Sequence, residues 1–196
     1  LINVESILAH VLKPLKEDGK FGFYHFGNEY ELKEVFSSQK YNTKYPMIWL
    51  VLPLDGSPKE QILSKRLDCR IKLILATSTN KSWLNDKRNI ETYEKVLNPL
   101  YDDVVKTLQS NINVIIKENE INVRKLHNYY EREQGTRQKP PKRQVNDYWD
   151  VILMEFDAII KQPDPCEFQE KPANLGFALF TGENALFIGN NALVIN

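Results

Sequence analysis

Residues 148–160 read Tyr148-Trp149-Asp150-Val151-Ile152-Leu153-Met154-Glu155-Phe156-Asp157-Ala158-Ile159-Ile160. In an extended chain successive side chains point to opposite sides, so Ile152, Met154, Phe156, Ala158 and Ile160 share one face. The stretch predicts a strong strand. A strand must pair, and the nearest partner is a sheet built by the residues before it.

Those residues supply one. Met47-Ile48-Trp49-Leu50-Val51-Leu52 is a continuous apolar run between Pro46 and Pro53, which predicts a strand buried on both faces. From Leu67 to Thr77 the chain alternates, with Cys69, Ile71, Leu73 and Leu75 on one side and Arg70 and Lys72 on the other. Shorter strands are expected at Phe21–Phe26 and Asn111–Lys117, and a turn at Asp55-Gly56-Ser57-Pro58. Helical spacing of Val4, Ile7, Leu8, Val11, Leu12 and Leu15 predicts an opening helix capped by Asn3. Asn28 is expected to cap a short helix over Glu29–Ser38, with Leu32, Val35 and Phe36 as its apolar face. Asp86 is expected to cap the longest helix, whose inner face is Ile90, Tyr93, Leu97, Leu100, Tyr101, Val104 and Leu108, with a kink or break at Pro99. The expected class is α+β: a small mixed sheet with helices packed on it, over residues 1–160.

Near residue 123 the pattern pauses. Residues 124–143 hold Arg124, Lys125, Arg132, Arg137, Lys139, Lys142 and Arg143 against Glu131 and Glu133, with few aliphatics. They read as a long basic loop or arm interrupting the core domain. Residues 161–196 form a strand-like C-terminal extension with a seven-residue repeat: Ala178-Leu179-Phe180, Ala185-Leu186-Phe187 and Ala192-Leu193-Val194. Gly182 and Gly189 break a helical reading, and no side chain after Glu183 is charged. This extension reads as built to be tied down.

The 196 residues carry 26 basic and 26 acidic side chains, which excludes a uniformly basic coat for nucleic acid. The zero is a sum of unlike parts: the arm is net +5 and residues 144–196 are net −6. Opposite patches on one chain suit a head-to-tail ring. No apolar run approaches the ~20 residues that span a bilayer, and Leu1-Ile2-Asn3-Val4-Glu5 is not a secretory leader. Two distant cysteines fit a reducing compartment; Cys69 reads as a buried apolar side chain, while Cys166, between prolines, has no assignment.

No chemistry is signalled. The glycines form no phosphate-cradling loop, and no Gly-x-Ser-x-Gly elbow is present. His10, His25 and His127 are dispersed, and neither cysteine has a second one nearby, so no metal or cofactor is expected. His25 reads as a core or edge side chain in an aromatic strand, and Glu118/Glu120, Glu131/Glu133 and Asp102/Asp103 as solvated pairs. The chain is expected not to be an enzyme. Trp83, in the polar loop Asn80–Asn85, is either a binding hot spot or a loop side chain folded back over the sheet.

Three stretches carry a family resemblance: Tyr45-Pro46-Met47-Ile48-Trp49-Leu50 leading into a strand, Arg70-Ile71-Lys72-Leu73-Ile74-Leu75-Ala76-Thr77, and the helix Glu91–Tyr101 with its Pro99-Leu100-Tyr101 step. With Asp147–Ile152 as a last strand, residues 20–160 resemble the tail terminator and head–tail joining (neck) proteins of tailed bacteriophages, including phages of Bacteroidetes hosts and the crAss-like group. The resemblance implies a structural virion subunit, assembled in the bacterial cytoplasm into a homo-oligomeric ring. Such a ring contacts neighbouring neck, portal or tail proteins and surrounds the DNA channel, with no membrane partner. The tail repeat has no counterpart in that family. Expected interface residues are Trp83, Arg137, Lys139, Lys142, Arg143, Leu179, Phe180, Leu186, Phe187, Leu193 and Val194. The alternative is an accessory protein that binds nucleic acid through the arm, its cations on phosphates and Tyr129 and Tyr130 on bases.

Overall fold

A computed structural model describes residues 2–28, 31–32, 45–54, 66–80, 82–117, 120–127, 129 and 148–162, and the backbone of 55–57, 178–181 and 184–187. Two units are present, Leu1–Gln162 and Pro163–Asn196. The first is α+β, with seven strands in one mixed sheet.

Two 14-residue strands, β4 (Arg66–Thr79) and β7 (Tyr148–Lys161), form the centre of the sheet. They run antiparallel in unbroken register from Arg66↔Lys161 to Thr79↔Tyr148. Each carries two short strands on its outer edge. Along β4 lie β2 (Met47–Val51) and β3 (Asp55–Ser57). Along β7 lie β5 (Val114–Ile116) and β6 (Asn122–Leu126). A further strand, β1 (Phe23–Gly27), pairs in parallel with β2. The returning strand of residues 148–160 thus inserts into the domain's own sheet.

Three expectations about the sheet change. Residues 55–57 are a strand where a turn was expected, because the chain leaving β2 stays alongside β4, Asp55 opposite Arg70. The basic arm does not begin at 124: Arg124, Lys125 and Leu126 belong to β6 and satisfy their main-chain groups on β7. The strand expected over Asn111–Lys117 shrinks to Val114–Ile116, because the Asn111 side chain accepts the Asn113 N–H (2.9 Å) and turns the chain first.

Helix α1 (Val4–Glu17) starts where expected: Asn3 Oδ1 accepts the Ser6 N–H at 2.8 Å. Asn28 and Glu31 make a reciprocal cap, side chain to main chain in both directions at 2.9 Å. Residues 31 and 32 are helical and Leu32 is buried; Val35 and Phe36 lie outside the described residues.

The long helix differs from expectation in its winding. It runs without interruption through α2 (Asn85–Arg88), a π-helical segment (Asn89–Leu97) and α3 (Asn98–Ser110). Asp86 lies inside its first turn and does not cap; Leu84 holds the cap position without a side-chain bond. The wider turns, seen in the Asn98 N–H bonded to Tyr93 O five residues back, shift the phase of the side chains. Ile90 consequently faces solvent at 47% exposure, while Arg88 and Thr92 turn inward. Pro99 does not break the run: it occupies the first turn of α3, where the π segment hands over.

These helices cover one face of the sheet. Leu8, Leu12, Tyr93, Leu97, Val104 and Leu108 pack there against Ile48, Leu50, Ile71, Leu73, Leu75, Ile152, Met154 and Phe156. The opposite face has its own cluster, with Met47, Trp49, Ile74, Ala76, Trp149, Val151 and Leu153 under Leu32 and Tyr129. Tyr129, expected on the exposed arm, is only 6% exposed. Both faces of β2 are therefore buried, as its unbroken apolar run requires. In the second unit, β8 (Ala178–Thr181) and β9 (Asn184–Phe187) pair antiparallel as a separate two-stranded sheet.

Candidate functional site

Where β4 ends, the chain crosses to the long helix through a knuckle, Asn80–Leu84. Asn80 O accepts the Trp83 N–H at 3.0 Å and closes the turn. Its side-chain oxygen accepts the Ser82 N–H at 2.9 Å. From the helix, Arg88 reaches back with three groups: Nε to Trp83 O (2.9 Å), Nη2 to Asn80 O (3.2 Å) and Nη1 to Asp150 Oδ1 (3.4 Å). Asp150 lies on β7, opposite Thr77, and its other oxygen accepts the Thr92 hydroxyl at 2.9 Å. Both charged side chains are sealed, Arg88 at 4% and Asp150 at 0% exposure. One guanidinium thereby ties the knuckle, the helix start and the central strand together.

His127, at the end of β6, approaches the same carboxylate, with Nδ1 3.5 Å from Asp150 Oδ1. Its ring stands edge-on to Tyr93 at 5.2 Å. The Tyr93 hydroxyl donates to Leu126 O (2.9 Å), fixing the exit of β6 to the helix. Asp150, enclosed by these partners, presents no open face to a substrate, so the cluster acts as a brace.

The brace presents Trp83 and its neighbours. Trp83 is half-buried, with Lys87 Nζ 4.9 Å from its ring centre. Leu84 beside it is 80% exposed. Of the other expected interface residues, Leu179, Phe180, Leu186 and Phe187 fall on the backbone of β8 and β9, where Leu179 pairs with Leu186. Arg137, Lys139, Lys142, Arg143, Leu193 and Val194 lie outside the described residues, as does Cys166.

Beyond the second apolar cluster, that face of the sheet is charged. Arg70 holds Asp157 (3.0 Å), Lys117 holds Asp68 (2.9 Å) and Arg124 holds Glu155 (3.0 Å). The Arg70 hydrogen bond keeps the Asp157 carboxyl below the ordinary carboxylate range, and the Asp68 hydrogen bond keeps Lys117 above the ordinary lysine value. Arg70, Lys117, Glu155 and Asp157 wall a cleft of about 660 Å³. Glu120 also lines it, so two cations face three carboxylates and the walls carry a small net negative charge. On the other side of β4, Cys69 is pushed up to about 11 by burial, with Asp68 and Asp157 adding to it.

Sequence reasoning missed the brace. Its one legible signal was Asp150, a carboxylate inside the apolar run Trp149–Met154, which must find a partner if buried. Arg88 gave no signal, since only the π-helical winding turns it inward.

Among the described residues, no group of three or more His, Cys, Asp or Glu side chains is placed to hold a metal ion, and no helix is long and apolar enough to cross a membrane. No protein-family model and no curated protein matches the sequence.

Proposed function

We propose that this chain is a structural subunit that assembles with copies of itself into a ring, in the neck or tail of a bacteriophage, joining head to tail around the DNA channel. The second unit carries this reading. Its β8–β9 hairpin is a two-stranded sheet of its own, and such a sheet is marginal in water without a third strand or a packing face. The stretch after Glu183 has no charged side chain to keep it solvated. Both properties suit a segment whose fold is completed on a neighbour by strand addition. Leu and Phe side chains buried there contribute ~1.5–3 kcal/mol each.

Sedimentation of the full chain and of a chain lacking residues 174–196 tests the proposal. A multi-copy species that falls to monomer on truncation is the expected result; an unchanged mass for the truncated chain overturns it. For the nucleic-acid reading, Arg124 is engaged by Glu155, Lys125 lies 5.4 Å from the Tyr93 ring, and Tyr129 is buried. That reading then rests on Arg137, Lys139, Lys142 and Arg143.

A further inference from the structure

The two outer edges of the sheet differ in character. On one side, β6 carries Arg124 and Lys125, charges that discourage another strand from pairing there, and the apolar β5 beside it is only three residues long. On the other side, β1 has no such guard. No charged side chain lies between Lys20 and Glu29, and β1 itself reads Phe23-Tyr24-His25-Phe26-Gly27. Phe26 is 41% exposed and His25 is exposed beside it, their rings stacked at 5.3 Å. Among the described residues, β2 is the one strand that pairs with β1.

The edge is also rigid. Gly27 O accepts both the Leu52 N–H (2.9 Å) and the buried Trp49 Nε1–H (3.1 Å), and Tyr24 donates its hydroxyl to Glu5 O on α1 (3.2 Å). Because Gly27 turns its carbonyl to β2, alternation turns the main-chain groups of Tyr24 and Phe26 outward. A straight edge held from behind loses little freedom when a strand is added.

We propose that this edge receives the third tail repeat, Ala192-Leu193-Val194-Ile195-Asn196, of a second copy of the chain. The inference rests on the assembly reading above and names its contact. The first two repeats are already paired with each other, Ala178↔Phe187 through Thr181↔Asn184. Residues 192–196 carry no charged side chain. No Lys, Arg, Asp or Glu side chain of either segment is desolvated when they meet.

Two copies in a Cys166→Ser background test this, one carrying Phe26→Cys and the other Val194→Cys. On oxidation, a covalent dimer is expected from the mixture and from neither preparation alone. A dimer from either alone, an intrachain link in the double variant, or no link at all overturns the proposal. Phe26→Glu, with His25→Glu as a second variant, is expected to reduce the assembled mass to that of the monomer, with circular dichroism reporting a retained fold. If both folded variants keep full mass while truncation of 174–196 yields monomer, the assembly reading stands and the edge assignment falls. If truncation also leaves the mass unchanged, both fall.

Discussion

Arg88 Nη1 and Asp150 Oδ1 lie 3.4 Å apart, and neither side chain meets solvent. They stand 62 positions apart in sequence, one at the start of the long helix and one on the central strand. Removing one partner leaves the other charge buried. Arg88→Met is therefore expected to destabilise the first unit by about 3–5 kcal/mol. The double variant Arg88→Met/Asp150→Leu should be more stable than Arg88→Met alone, which urea denaturation of all three proteins would reveal.

Arg70 and Asp157 face each other on the wet part of the sheet. Asp157 titrates lower folded than unfolded, so its contribution is present above the unfolded carboxylate pKa and disappears as pH falls through the folded one. The pair is half-exposed, so its worth is a few tenths to about 1 kcal/mol. Asp157→Asn should lower the melting temperature slightly at pH 7 and have no effect at a pH below the folded pKa. An equal loss at both pH values would mean that packing, and not charge, is responsible.

Cys69 is buried, and its thiol is pushed up to about 11. Thiolate is the reactive form. At pH 7.5 Cys69 should therefore react with a thiol reagent far more slowly than a free cysteine, and reach full reactivity on unfolding. Rapid labelling of native protein in a Cys166→Ser background would contradict the assigned burial.

Gly27 has φ +157°, and a Cβ there would fall on the Glu31 carboxylate and within 2.9 Å of Trp49 Cζ2. Gly27→Ala should cost about 1–3 kcal/mol through strain alone. Glu31→Ala added to it should recover part of that cost; no recovery in thermal denaturation would place the strain on Trp49.

Much of the fold can be read from local pattern. Strand β2 is an apolar run between prolines, β4 and β7 alternate, and Asn3 caps α1 through the geometry its side chain favours. What escapes the reading depends on partners or on winding. Nothing local distinguishes Asp55–Ser57 as a strand, since it is held by β4. Nor does 122–126 look like one, because its exposed charged pattern is that of an edge and its apolar neighbours belong to β7. Ile90 and Arg88 exchange roles because a 3.6-residue period was applied where the turns are wider. The candidate interaction site is legible in part: Trp83 stands out as an aromatic in a polar loop, but the guanidinium that fixes it is visible only once the helix start and β7 are brought together.

The long register between β4 and β7 also bears on synthesis. Arg70 meets Asp157 across 87 positions of chain. On the ribosome, everything through β6 emerges before the strand that completes the sheet. Until then the flank of β4 that faces β7, 14 residues long, has no strand to pair with. Closure over such a separation is slow compared with local helix formation. The nascent chain therefore passes through an interval in which a chaperone, or the same flank of another nascent copy, competes with its own missing strand.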